Sequence, residues 1–138
     1  MPERNDFNTQ VMAEFHANGG KVGGPFAGAD ILILTSTGAR TGQTRWHPVV
    51  YTRDGDRYVI VASKGGAPTN PDWYHNLVAH PSAVIEVGTD VIPVDVAIPS
   101  GDERERLFAQ HAKGMPQFLE YAKNTKRTIP VVVLTPRR

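Results

Sequence analysis

Two arginines and two glycines lie between two strand-like runs, in the segment T-S-T-G-A-R-T-G-Q-T-R-W from Thr35 to Trp46. Glycine reaches positive φ without a steric clash, so Gly38 and Gly42 could let consecutive backbone N–H groups face one concavity and favour an anion. Arg40 and Arg45 would add permanent, bidentate cations. The pattern predicts a loop that binds phosphate or carboxylate. The alternative is an ordinary polar hairpin with two solvated arginines.

A second basic loop follows the next strand-like run. It has the sequence S-K-G-G-A-P from Ser63 to Pro68, with a single cation, Lys64. Two such loops that leave neighbouring strands can converge on one ligand. Neither loop matches Gly-x-x-x-x-Gly-Lys-Ser/Thr, so the sequence excludes a P-loop ATPase. A helix follows, with Asn70 as the predicted N-cap and Pro71 at the first position, and its amide end is a second candidate anion site.

The sequence is poor in residues that could catalyse a reaction without a cofactor. Cysteine is absent, which excludes a thiolate nucleophile, a disulfide framework and a cysteine metal site. The five histidines have no H-x-H or H-x-x-x-H spacing, so no metal site is expected. No G-x-S-x-G elbow and no motif-like pair of carboxylates is present. Such a chain favours an oxidoreductase that takes its chemistry from a cofactor.

Length and charge predict one domain over residues 1–138. A chain of this length is near the common domain size, and its 15 basic and 14 acidic residues give a net charge of +1. This balance gives no sign of a surface that binds nucleic acid or membrane through its overall charge. No signal peptide and no apolar run long enough to span a bilayer is seen, so a cytoplasmic location is expected.

The first 20 residues are predicted to form a helix and its lead-in. Apolar residues recur at helical spacing from Phe7 to Phe15, so residues 8–17 should form a short amphipathic helix that ends at Gly19-Gly20. The favoured interpretation is that this helix docks on the core of the domain. The alternative is peripheral contact with the inner face of the cell membrane.

Short strands joined mostly by hairpins predict an antiparallel barrel. The predicted strands are Asp30–Thr35, Thr44–Arg53, Arg57–Ser63, Ala83–Val87, Val91–Ile98 and Pro130–Leu134. Turns at Gly55 and Gly88 join two of the strand pairs. Between the last two strands, Ser100 and Glu103 predict a capping box at the start of a helix, with apolar residues from Leu107 to His111 on its buried face.

Three segments occur in order along the chain, namely L-T-S-T-G-A-R-T-G-Q-T-R, A-S-K-G-G-A-P-x-N-P-D-W-Y-H-N-L and R-T-I-P-V-V-V-L. In this order and at these separations they resemble the deazaflavin-dependent nitroreductase family of actinobacteria, and the similarity runs from about Gly19 to Pro136. That family uses the deazaflavin coenzyme F420 and includes quinone reductases and activators of nitroimidazole prodrugs. The resemblance implies a mainly β fold, namely a split antiparallel β-barrel of the FMN-binding-like type with a few flanking helices.

The resemblance also implies a coenzyme site. Cations of the two loops would hold the phosphate and glutamate tail, the strand that begins near Trp46 would line the path of the coenzyme, and the helix after Pro71 would close over it. The implied cofactor-binding residues are Ala39, Arg40, Thr41, Arg45, Trp46, His47, Pro48, Val49, Val50, Val61, Ala62, Ser63, Lys64, Asp72, Trp73, Tyr74, His75, Asn76 and Phe118. An ordinary core position is the alternative for Trp73, and an exposed surface position is the alternative for His75.

Matching positions further imply a substrate pocket formed by Val50, Ser63, Met115, Phe118 and Tyr121. In the best-known nitroreductase of the family, tyrosines match all of these except Ser63, and only Tyr121 keeps its hydroxyl here. This difference disfavours nitroimidazole reduction, whereas a Met/Phe/Tyr pocket favours a flat, apolar acceptor such as a quinone. Ser63 and Tyr121 are the candidate catalytic residues, for hydrogen bonding or proton delivery to the acceptor. The alternative is that Phe118 and Tyr121 form the buried face of a helix.

Two functions remain open from the sequence. The first is a reductase that transfers a hydride from reduced coenzyme F420 to a quinone or a similar electron-poor acceptor. The second is a non-catalytic carrier of a deazaflavin, flavin or haem-type cofactor, since split barrels also serve as carriers. Both functions need Arg40, Arg45 and Lys64. Flavin mononucleotide is disfavoured as the cofactor by the resemblance alone. A homodimer is also expected, since related split barrels often pair.

Overall fold

A computed structural model describes residues 3–21, 30–63 and 69–137 of the protein, with side chains from Thr9 onward. The helices in this part of the chain are α1 Glu3–Ala17, α2 Asp72–Ala79, α3 Gly101–Gly114 and α4 Gln117–Lys123. The strands are β1 Ile31–Thr37, β2 Thr44–Val50, β3 Thr52–Asp54, β4 Arg57–Val61, β5 Ser82–Val87, β6 Asp90–Ala97 and β7 Val131–Pro136. Five of the six predicted strands are thus present, with bounds that shift by a few residues.

The strands form a single antiparallel sheet in the order β2-β1-β5-β6-β7-β4-β3. The predicted hairpin turns are confirmed, with Gly55 and Gly88 at φ 64° and 59°, values that favour glycine. The predicted strand Thr44–Arg53 is instead two strands, and they lie at opposite edges of the sheet. Only Tyr51 separates β2 from β3, so the sheet must curl until its edges approach one another. This curl produces the predicted split barrel.

Alternation along the strands divides the apolar side chains between the two faces of the sheet. The inner face, which is the concave face of the barrel, carries Leu32 and Leu34 of β1 together with Ile60 of β4, and α2 packs on it through Trp73 and Leu77. The outer face carries the intervening residues of the same strands. Helix α1 covers the outer face at β1, and α3 and α4 cover it at β4 and β7.

Helix α1 begins earlier than predicted and docks on the outer face as predicted. Val11 is 6% exposed and Phe15 is fully buried against Ile31 and Ile33. The helix ends as predicted before Gly20, whose N–H donates to Phe15 O at 2.8 Å. The side chain of Phe7 lies outside the described residues. No helix in the described ranges combines the length and the apolar character needed to cross a membrane.

The predicted capping bonds of two helices are wrong. Helix α2 has Pro71 as its N-cap, and the Asn70 side chain does not cap the helix but accepts a hydrogen bond from Arg127 at 2.6 Å. Ser100 holds the N-cap position of α3 without a side-chain bond to the helix. The Glu103 carboxylate binds Arg106 instead, at 3.0 Å. In both cases a guanidinium binds the side chain that was predicted to cap, from a distant part of the chain at Asn70 and from the next turn of the same helix at Glu103.

Candidate functional site

The loop that joins β1 to β2 is closed by its own backbone. Gly38 N donates to Gln43 O at 2.7 Å, Gly42 N donates to Gly38 O at 2.9 Å, and Gln43 N donates to Thr41 Oγ1 at 3.2 Å. Gly42 has a positive φ of 71°, whereas Gly38 does not. The predicted row of free amides around an anion is therefore wrong, because most of these N–H groups are used inside the loop.

Asn76 of α2 holds this loop in place. Its Oδ1 accepts from Ala39 N at 2.9 Å, and its Nδ2 donates to Ser36 Oγ at 3.3 Å. Asn76 is 6% exposed and Ser36 is 3% exposed, so water does not compete for these bonds. The sequence predicted Asn76 as a coenzyme ligand. In the structure its amide links the first loop to the helix that follows the second loop.

The two arginines of the first loop are exposed cations. No other residue in the described ranges forms an ion pair with Arg40 or Arg45. A Cβ built on Gly38 would lie 3.7 Å from Nε of Arg45 and 3.0 Å from Oγ1 of Thr41. Gly38 therefore allows Thr41 to approach closely, and the Arg45 side chain lies alongside at ordinary contact distance. The loop offers guanidinium groups, rather than amides, to an anion.

Strand β2 divides its predicted site residues between the two faces of the sheet. Cross-strand partners share a face, and Arg45, His47 and Val49 pair with Ser36, Leu34 and Leu32 of the inner face. Trp46, Pro48 and Val50 pair with Thr35, Ile33 and Ile31, which face α1. Strand β2 is at an edge of the sheet, so a ligand that contacts both its inner-face and its outer-face residues must pass around that edge.

The second loop begins at the end of β4. Val61 packs on the outer face and Ala62 on the inner face, so these neighbouring predicted ligands point in opposite directions. Ser63 is 7% exposed, and its carbonyl oxygen accepts from Arg127 Nη2 at 2.7 Å. Lys64, predicted to bind the coenzyme, lies outside the described residues. Its role stays a prediction.

Helix α2 supplies one wall of the inner face. Trp73 is 7% exposed and packs in the inner core, and Tyr74 packs partly against the same core. His75 is exposed, with its ring 5.7 Å from that of Tyr74, and Asp72 is exposed in the first turn. Trp73 is thus a core residue, as one sequence interpretation had it, while Tyr74 keeps a partly open surface.

Of the predicted acceptor pocket, Met115, Phe118 and Tyr121 lie together over the outer face, on α4 and the turn before it, whereas Val50 packs with the α1 cluster. Phe118 is 7% exposed and packs on Val59 and Val61, and its ring lies 5.2 Å from that of Tyr121. Met115 and Tyr121 pack on the same cluster and stay half-buried. These contacts support the packing interpretation of Phe118. They leave Tyr121 as the partly accessible hydroxyl.

A buried histidine of α3 packs against α4. His111 of α3 is fully buried, its Nδ1 is 2.9 Å from Thr52 Oγ1, and its ring lies 4.5 Å from the Phe118 ring. Burial lowers the pKa of His111 from 6.5 to about 4. The imidazole is therefore neutral at physiological pH and serves packing. Nε2 has no hydrogen-bond partner among the described residues.

Sequence reasoning missed Arg127, which binds Ala62, Ser63 and Asn70 at the base of the second loop. The R-T-I-P segment was noticed only as part of a family motif, and nothing in its local pattern indicates contacts 57 to 65 positions away. Ser36 was missed for a similar reason, since its partner lies 40 positions away. An arginine between a helix and a buried strand is the available signal for a guanidinium that binds backbone carbonyl groups.

Comparison with known proteins identifies the family. The family model for F420H(2)-dependent quinone reductase matches residues 8–136. The chain is 41% identical over 129 residues to an F420H(2)-dependent quinone reductase of Mycobacterium tuberculosis strain H37Rv, covering 91% of this chain and 87% of that protein.

Two solved structures agree with this fold. One is an F420-H2 dependent reductase named FDR-A, with a TM-score of 0.70, 35% identity and coverage of 75% of this chain and 92% of that chain. The other, described as a domain-swapped dimer, has a TM-score of 0.72, 30% identity and coverage of 95% and 98%. The split-barrel fold predicted from the sequence is confirmed. The chain belongs to the F420H(2)-dependent quinone reductase family.

Proposed function

We propose that this protein transfers a hydride from reduced coenzyme F420 to a quinone or a similar electron-poor acceptor. The observation that carries the proposal is the pair of exposed cations, Arg40 and Arg45, on a loop that Asn76 fastens to α2. The relatives named as F420H(2)-dependent quinone reductases support the same cofactor and acceptor.

The described residues fit the charge and the aromatic ring of this coenzyme. Its phosphate and glutamate tail is a polyanion, and Arg40 and Arg45 have no described carboxylate partner. Val49 and Tyr74 are only partly buried and offer apolar and aromatic surface on the inner face. When bound, the reduced deazaflavin supplies a hydride and does not readily give single electrons, because carbon replaces the flavin N5. The protein then has to bind, orient and provide a proton.

Ser63 and Tyr121 are the hydroxyl groups proposed to act on the acceptor. Ser63 is buried at the end of β4, where Arg127 binds its carbonyl oxygen, and a serine hydroxyl can donate a hydrogen bond. Tyr121 is half-buried on α4, beside the apolar surface of Phe118 and Met115. A hydrogen bond to the acceptor oxygen would strengthen as negative charge develops there during hydride transfer.

The acceptor class follows from the chemistry around Tyr121. The family label of nitroreductase is broader than the family shown, and we propose quinone reduction as the principal activity. Phe118 and Met115 pack in the same cluster as Tyr121, and both are apolar. A flat apolar ring gains from these side chains, whereas a nitro group finds only one phenol among them.

Coenzyme binding tests the proposal directly. We expect Arg45→Ala to weaken binding of oxidised F420 at least tenfold, which is about 1.4 kcal/mol, measured by quenching of tryptophan fluorescence. Arg137→Ala removes the same charge from an exposed pair with Asp95 and serves as the matched control. Equal affinity of wild type and Arg45→Ala, or tighter binding of flavin mononucleotide than of F420, would refute the assignment.

Turnover distinguishes a reductase from a carrier. We expect wild type to oxidise reduced F420 with a soluble quinone analogue, and Tyr121→Phe to lower kcat while the Kd for F420 stays within twofold of wild type, about 0.4 kcal/mol. Tight binding without turnover for any quinone would favour the carrier function.

We further propose that the protein forms a homodimer, a state supported by the domain-swapped dimer among the similar structures. Light scattering during gel filtration measures it. Peripheral membrane contact of α1 stays a prediction, and burial of Val11 and Phe15 leaves that helix less apolar surface for it.

A further inference from the structure

Arg127 lies between α4 and β7, and its side chain reaches the base of the second loop. Nη1 donates to Ala62 O at 3.2 Å and to Asn70 Oδ1 at 2.6 Å, and Nη2 donates to Ser63 O at 2.7 Å. Burial lowers the pKa of this guanidinium, but arginine stays charged at neutral pH. One charged side chain therefore binds residues on both sides of the second loop through charge-assisted hydrogen bonds.

These contacts begin where the backbone ladder between β4 and β7 ends. Val61 and Val131 are the last paired residues, and Ala62 N donates to Pro130 O at 2.9 Å. The carbonyl groups of Ala62 and Ser63 lie beyond the ladder, and Ser63 is 7% exposed. A buried carbonyl without a donor is costly. The guanidinium thus takes the place of the next strand pairing and determines where Ser63 lies.

The planar fork of arginine is suited to this task. Two nitrogens of one rigid group satisfy three oxygens, so the relative positions of Ala62, Ser63 and Asn70 follow from the shape of the guanidinium. A lysine ammonium is a single point charge on a flexible stem and cannot impose the same spacing. These three oxygens therefore require the planar geometry of a guanidinium as well as its charge.

We propose that Arg127 is a positioning residue for hydride transfer, which acts by fixing the Ser63 backbone and the start of α2 so that the Ser63 hydroxyl meets the acceptor. This inference rests on the proposed function, since it takes Ser63 as the group that hydrogen-bonds the acceptor. Arg127 itself touches neither acceptor nor coenzyme in this role.

Single-turnover oxidation of reduced F420 by a quinone tests the proposal. At saturating coenzyme, we expect the rate in Arg127→Gln to fall at least tenfold and to recover in part when guanidinium ion is added below denaturing concentrations. Arg127→Lys should lose rate without a response to guanidinium, because its side chain occupies the site. An unchanged rate in Arg127→Gln, with the variant folded, would overturn the proposal.

A double-mutant cycle with Ser63→Ala shows whether Arg127 acts through Ser63. We expect the rate loss of the double variant to be smaller than the product of the two single losses, because the second change removes an arrangement already lost. Losses that multiply would show that Arg127 acts by another route.

Arg104 provides the matched control. Its Nε and Nη2 donate to Ile129 O at 3.1 and 2.6 Å, and its guanidinium stacks on the Phe108 ring. Arg104→Gln removes a partly buried guanidinium on α3 that binds the backbone just after Arg127, without touching the second loop. We expect it to lower stability and to leave the rate and the guanidinium response as in wild type. A rate loss equal to that of Arg127→Gln would show a general effect of destabilisation.

Amide hydrogen exchange separates this proposal from the proposed function. If the wild type does not oxidise reduced F420, the proposed function fails, and exchange alone decides the positioning role. We expect Arg127→Gln to speed exchange at Ala62, Ser63 and the first turn of α2, and to leave β1 and β2 protected. Unchanged exchange at these amides would overturn the role of Arg127, whatever the activity. A variant that does not fold is replaced by Arg127→Lys in the same measurement.

Discussion

The buried His111 should make the protein less stable as the pH falls toward 4. Its pKa in the folded state is about 4, below the ordinary value of 6.5 that it regains on unfolding. The unfolded chain therefore binds more protons than the folded chain between these values. The stabilising effect of the neutral imidazole is present above pH 6.5 and is lost as the pH falls through that window. Proton linkage lowers the free energy of unfolding by about 2 kcal/mol between pH 7 and pH 5, and by about 3 kcal/mol over the whole window.

His111→Asn isolates this contribution, because asparagine does not titrate and keeps a polar atom for Thr52. The measurement is urea unfolding at pH 7, 6 and 5, followed by tryptophan fluorescence. Wild type should have a higher free energy of unfolding than His111→Asn at pH 7, and this difference should shrink by about 2 kcal/mol at pH 5. Thr52→Val is the control, since it removes the 2.9 Å hydrogen bond and keeps the titrating imidazole, so its pH dependence should follow wild type. A stability difference between wild type and His111→Asn that does not change with pH would refute the reasoning.

Two further predictions concern the first loop, which joins β1 to β2. Gly38→Ala places a Cβ 3.0 Å from Thr41 Oγ1 and 3.2 Å from Gln43 O, so it should lower the free energy of unfolding in urea by about 1–3 kcal/mol. Gly114→Ala is the control and should lower it much less, because an added Cβ there meets nothing within 4 Å. Asn76→Ala leaves a loop amide without its acceptor, so we expect a loss of about 1–3 kcal/mol and weaker binding of F420, and unchanged affinity would show that the loop does not need this bond.

Local chemistry made much of the barrel predictable. The turns at Gly55 and Gly88 follow from residues that accept positive φ, and the strand alternation follows from burial on one face. The division of Thr44–Arg53 at Tyr51 was not predictable in this way. A continuous strand-like pattern does not say which neighbour each half pairs with, and here the neighbours are β1 at one edge and β4 at the other.

The candidate site shows the same division between local pattern and tertiary contact. The segment from Thr35 to Trp46 was found from its residue types alone, because cations and glycines between strands are a local signature. Its internal closure was missed, because free N–H groups and bonded ones look the same in a sequence. Asn76 and Arg127 were missed as anchors, since their partners lie 37 to 65 positions away.

The sequence by itself determined the family, the strand pattern and the cationic loop, because each is encoded in residues that are neighbours in the chain. Only the tertiary structure decided which groups satisfy one another. Arg45, His47 and Trp73 lie on the inner face, whereas Val50 and Phe118 lie on the outer face. The physical reason is that hydrogen-bond partners and face assignments depend on how the curled sheet brings together residues that are distant in the chain.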